Sequence, residues 1–87
     1  MSYRLASAPR QVWSGTTEDL SLKGMRFLSQ TPEPAGERVR IECDFCSAVA
    51  VVRFARPDPT KGRWQCGAEF LTLRLKHARG GLFSTVA

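Results

Sequence analysis

Apolar and polar positions alternate through the middle of this chain. From residue 38 to 43 the order Arg-Val-Arg-Ile-Glu-Cys changes character at every step. In an extended backbone this sets Val39, Ile41 and Cys43 on one face and Arg38, Arg40 and Glu42 on the other. Residues 48–54, Ala-Val-Ala-Val-Val-Arg-Phe, are rich in β-branched side chains and predict a second strand. The short link from Asp44 to Ser47 makes the two a hairpin. Alternation returns over residues 63–70, with Trp64, Cys66, Ala68 and Phe70 on one face and Gln65, Gly67 and Glu69 on the other. Residues 16–20 and 24–29 predict two shorter strands, and the Pro- and Gly-bearing stretches 31–36 and 57–62 predict turns.

The phase slips near Leu71. Leu71, Leu75, Ala78 and Leu82 recur at helical spacing, which predicts a short closing helix ended by Gly80-Gly81. The competing reading is a strand continued through Leu71, Leu73 and Leu75. About five to six short strands separated by turns predict an all-β fold, a small antiparallel β-barrel with a short C-terminal helix. A chain of 87 residues has room for one domain. The expected division is an N-terminal segment over 1–15, a barrel core over 16–70 and a closing segment over 71–87.

Charge narrows the class of partner. Thirteen basic against eight acidic side chains give +5, and ten of the thirteen are arginine. Arginine's planar fork suits phosphate and guanine edges in a way that lysine's point charge does not, so an anionic partner is expected. No apolar run approaches the ~18 residues of a membrane span. Residues 1–10 lack the apolar stretch of a signal peptide. Three cysteines, an odd number, argue against a disulfide framework. The expectation is a cytoplasmic chain without membrane association.

Candidate chemistry beyond that is thin. Cys43, Cys46, Cys66 and His77 follow no known zinc spacing, and no βαβ pattern accompanies the Cys-x-x-Cys pair as a redox motif would require. Cys43 and Cys66 fall on apolar faces and read as small hydrophobes. Neither paired carboxylates, a Ser/His/Asp set nor a phosphate-cradling glycine loop is present, so no enzyme, metal or cofactor is expected. Phe27, Trp64 and Phe70 fall at core positions, leaving Trp13, in the least regular stretch, as the aromatic expected to be most exposed.

Residues 19–27, Asp-Leu-Ser-Leu-Lys-Gly-Met-Arg-Phe, carry a D-x-S-x-x-G string followed by an apolar strand. Gly36 precedes the Val39-Arg40-Ile41 strand, and Gly67-Ala68-Glu69-Phe70 ends the last one. In order and spacing these pieces resemble the PilZ domain family over about residues 16–70. The resemblance implies a receptor for cyclic di-GMP, with Asp19, Ser21 and Gly24 on the sheet and two upstream arginines gripping guanine edges and phosphates. The residues fit that chemistry. Asp19 offers acceptors to guanine N–H groups, Ser21 a hydroxyl, and Gly24 freedom of φ and close backbone approach.

The upstream arginines are Arg4 and Arg10, separated by five residues where the family's R-x-x-x-R has three. They are expected to fold over the ligand from a segment that orders on binding. Only the eight residues 11–18 stand between Arg10 and Asp19, where the family has a whole hairpin. The first strand is therefore expected to be shortened, lost or replaced, which exposes a sheet edge for a downstream protein partner or a homodimer. The alternatives are a PilZ-like interaction module without nucleotide binding and, more remotely, a single-stranded nucleic-acid barrel.

Overall fold

The computed structural model describes residues 1–76 and the backbone of residues 82–86. Eight strands run β1 (Ser2–Leu5), β2 (Ala8–Ser14), β3 (Thr16–Leu20), β4 (Gly24–Ser29), β5 (Arg38–Glu42), β6 (Cys46–Asp58), β7 (Arg63–Lys76) and β8 (Leu82–Val86). The all-β expectation is met, with eight strands in place of five or six and no helix among the described residues. All pairings are antiparallel, in the order β2-β1-β5-β6-β7-β4-β3, with β8 added to β7. The ladder does not close. Yet the two outermost strands, β2 and β3, are neighbours in sequence, joined at Gly15. That continuity curls the sheet so that its two edge strands come together at Gly15, without pairing to each other. A Cβ at Gly15 would lie 2.8 Å from the Leu28 carbonyl oxygen, so the join needs a residue without one.

The inner face is the core expected from alternation. Val39 and Ile41 of β5, Ala48, Ala50 and Val52 of β6, Cys66, Ala68, Phe70 and Leu73 of β7, and Met25 and Phe27 of β4 are buried in one cluster. Tyr3 joins them from β1, its ring centroid 5.2 Å from that of Phe27. Its hydroxyl donates to Glu33 Oε2 and meets Ser29 Oγ, each at 2.8 Å. Burial pushes the Tyr3 hydroxyl up to about 12, since ionisation there would strand a charge in the core.

Three sequence expectations need correction. The phase slip at Leu71 is a β-bulge. Val49 pairs with Thr72 and Ala50 with Phe70, which leaves Leu71 as the extra residue, and β7 continues to Lys76 on the opposite parity. The helical spacing was a bulged strand counted straight through; its remaining positions up to Gly81 lie outside the described residues, and Leu82 opens β8. The N-terminal segment is not a loose arm but the β1–β2 hairpin, with β1 also paired to β5. Trp13 lies opposite Tyr3 and packs against the core, so that Phe45, 44% exposed, is the more open aromatic.

Candidate functional site

Bulges also build the outer face. On β3, Thr17 pairs with Phe27 and Asp19 with Arg26, so Glu18 is an extra residue and both Glu18 and Asp19 face outward. On β6, Val52 pairs with Ala68 and Phe54 with Gly67, so Arg53 is extra and Phe54 is turned away from the core. Bulges re-aim side chains in this way beside functional sites. A Cβ at Gly67 would sit 2.1 Å from the Phe54 ring. The missing side chain is what lets Phe54 lie across β7, with Arg56 stacked 4.7 Å over the ring.

These devices frame a shallow cavity of about 300 Å³ lined by Asp19, Ser21, Gly24, Arg26, Arg53 and Phe54, among others. It sits at the lower limit of ligand pockets, ~300–1,000 Å³. Asp19 Oδ2 accepts from Arg26 Nη2 at 3.0 Å, and Glu69 Oε1 from Arg53 Nη2 at 2.9 Å. All four side chains are about half exposed. Such pairs hold their partners weakly, by ~0–1 kcal/mol, and an incoming anion can displace the carboxylate. The second Asp19 oxygen makes no hydrogen bond among the described residues. Beside the cavity, Lys61 reaches from the β6–β7 turn to Glu18 at 2.7 Å. That bond, seconded by one from Gln65, holds the Glu18 carboxyl below its usual range and raises the Lys61 ammonium.

Ser21 caps the β3–β4 turn. Its Oγ accepts from the Lys23 and Gly24 amides at 3.2 and 3.3 Å, which is a serine turn of the ordinary kind. Both bonds use the oxygen as acceptor, so the hydroxyl proton is left to donate outward. Gly24 does not have positive φ, contrary to expectation; among the described glycines only Gly36 and Gly62 do. Its need is steric: a Cβ there would meet the Ala68 carbonyl oxygen of β7 at 2.3 Å.

Asp19, Ser21 and Gly24 are thus brought together. Arg4 and Arg10 are not among the residues that line this cavity. Arg4 faces outward on β1, directly across from Arg40 of β5, and its Nη1 donates to the Pro9 carbonyl at 3.2 Å. Arg10 is exposed on β2, in the irregular stretch after Pro9. Sequence reasoning missed Arg26, Arg53 and Phe54. Arg26 was findable, being on the outward phase two residues past Gly24. Phe54 was not, because simple alternation from Val52 puts it inside.

Among the described residues no helix is long and apolar enough to cross a membrane, and no cluster of three metal-ligating side chains occurs. No curated protein and no solved structure matches the chain. The model of one family does, and it spans residues 2–82, from the first strand to the start of the last. With the D-x-S-x-x-G turn on the rim of the outer cavity and the curled antiparallel sheet beneath it, this chain belongs to the PilZ domain family.

Proposed function

We propose that this domain is a cyclic di-GMP receptor that binds the dinucleotide at the Asp19–Arg53 cavity. The observation that carries the reading is the convergence there of the signature residues Asp19, Ser21 and Gly24 with two guanidiniums, Arg26 and Arg53. Asp19 accepts from a guanine Watson–Crick edge, Ser21 donates its free hydroxyl proton, and the guanidiniums take phosphate oxygens or guanine O6 and N7. The cavity has room for one base and its phosphate; the rest of the ligand lies over the outer face. Binding exchanges the Arg53–Glu69 and Arg26–Asp19 pairs for ligand contacts, so micromolar affinity is expected. A receptor of this type passes its signal on through a protein partner met at an exposed face, and works in the cytoplasm.

Calorimetric titration tests the reading. Cyclic di-GMP should bind and GTP should bind far more weakly. An absence of heat with cyclic di-GMP up to millimolar concentration would sink it.

A second reading, an interaction module without nucleotide binding, rests on a different observation. Both cavity guanidiniums already have carboxylate partners, and β2 and β3 remain edge strands, with Val12 53% exposed on β2. Self-association or a co-purifying protein, with a silent titration, would favour it.

A further inference from the structure

The turn between β5 and β6 holds two cysteines that the nucleotide site does not use. Cys43 and Cys46 flank Asp44-Phe45, and the Cys43 amide donates to the Cys46 carbonyl at 2.9 Å, continuing the ladder one step past Glu42–Ser47. Residues opposed across an antiparallel pair have Cα atoms ~4.5–5.5 Å apart, inside the ~4.4–6.8 Å that a disulfide spans. Their sulfurs are 2.8 Å apart, within van der Waals contact.

Their surroundings are unequal. Cys43 is half-buried and borders an open surface hollow with Met1, Phe45 and Lys76. Cys46 is fully buried in the core cluster, where burial and the neighbouring Cys43 raise its thiol to about 12. The turn is also held in place. Lys76 of β7 donates its backbone N–H to the Phe45 carbonyl at 2.8 Å and its Nζ to the Cys43 carbonyl at 2.9 Å. The third cysteine, Cys66, is buried between Phe27 and Ala55 on the strands flanking it, far along β7 from this turn.

We propose that Cys43 and Cys46 form a reversible redox pair, in which Cys43 is the sulfur an oxidant reaches and Cys46 the one that resolves it. The oxidant is hydrogen peroxide. The Cys43 sulfur attacks the peroxide; an S–O bond forms, the O–O bond breaks, and the leaving oxygen departs as water with the thiol's proton. The Cys46 sulfur then attacks the Cys43 sulfur. The S–S bond forms, the S–O bond breaks, and the hydroxyl leaves as water with the Cys46 proton. Two thiols lose two electrons and the peroxide becomes two waters. A dithiol reductant reverses the oxidation. The 2.8 Å separation places the Cys46 sulfur where it can condense with a Cys43 sulfenic acid without a rearrangement of the turn. The absence of a βαβ setting, which set a redox role aside in the sequence, bears on thioredoxin-like sites and not on a hairpin turn. A transient disulfide of this kind is also the sort that reducing compartments allow.

Trypsin separates the two environments, since cleavage after Arg40, Arg53, Arg63 and Arg74 leaves Cys43 and Cys46 on one peptide and Cys66 on another. The test oxidises the folded full chain with hydrogen peroxide, alkylates it under denaturing conditions and digests it without reduction. The expected result is a peptide 41–53 that has lost two hydrogens and takes no alkyl group until dithiothreitol is added, beside a peptide 64–74 alkylated as before. In Cys46→Ala, Cys43 should be trapped by dimedone as sulfenic acid, a species that does not accumulate in the parent. In Cys43→Ser, peroxide should leave Cys46 reduced. Full alkylation of both thiols in the parent after oxidation, equal dimedone labelling of parent and Cys46→Ala, or a Cys43-linked dimer in place of the internal loss would each overturn the proposal.

Discussion

Two groups of arginines share the outer face of this sheet, and they are held in opposite ways. Around the cavity, Arg26 and Arg53 each meet a carboxylate, beside an aromatic ring laid over Gly67. On β1 and β5, Arg4 and Arg40 are directly opposed across the ladder, Arg38 lies on the same side, and none makes an ion pair with a described residue. Like charges directly opposite are destabilising. What secures β1 is on its other side, where Tyr3 reaches Ser29 and Glu33. The first region is organised by its own surface groups and can exchange them for a ligand. The second is organised from within, and its surface cations make no ion pair with a described residue that could be exchanged.

The largest effect belongs to that interior anchor. The Tyr3 hydroxyl ionises near 10 in the unfolded chain and near 12 in the folded one. Between those values the unfolded state binds fewer protons than the native state. The stabilisation is therefore complete below pH 10 and lost as pH rises to 12, by about 2–3 kcal/mol in all. Cys46, raised from 9 to about 12, adds to the loss from pH 9 upward. Denaturant titrations across this range should show the decline, and Tyr3→Phe should flatten its upper part while being less stable at neutral pH.

Gly24→Ala is next. Its Cβ meets backbone on β7, which cannot step aside, so unfolding should become easier by about 1–3 kcal/mol and nucleotide affinity should fall with it. At Gly67 the obstacle is the end of the Phe54 side chain. Gly67→Ala should cost less than Gly24→Ala in thermal unfolding and still alter the cavity.

The arginines themselves give smaller numbers and the sharpest contrast. Arg53→Ala should change stability by less than about 1 kcal/mol and weaken cyclic di-GMP binding by about tenfold, the loss of one charge-assisted contact. Arg40→Ala should leave binding within about twofold and raise stability by a few tenths of a kcal/mol, since it removes a like-charge pair. Equal effects of the two on the nucleotide would erase the distinction between the regions.

Much of this was readable in the sequence, and what was not has a common cause. Strands β4 to β7 announce themselves because one face is apolar and the period is fixed at two. A bulge breaks that period without leaving a compositional mark. Leu71 therefore reads as the start of a helix, straight alternation from Val52 would turn Phe54 inward, and the outward pairing of Asp19 with Arg26 is invisible. The β1–β2 hairpin escaped for a related reason: Pro9 and the irregular pairing around Arg10 leave little alternation to read. Asp19, Ser21 and Gly24 were legible through the signature string. The need for glycine at position 24 was legible too, but the reason was not, because it lies in a strand contact with Ala68 and not in a local turn.

Amide chemical-shift mapping during titration with cyclic di-GMP would locate the nucleotide on the sheet. Saturable shifts should concentrate at Ser21, Gly24, Arg53, Gly67 and Glu69, with Arg4, Arg10 and Arg40 unmoved. Shifts confined to β1, β2 and β5, with the cavity amides silent, would contradict binding at the Asp19–Arg53 cavity.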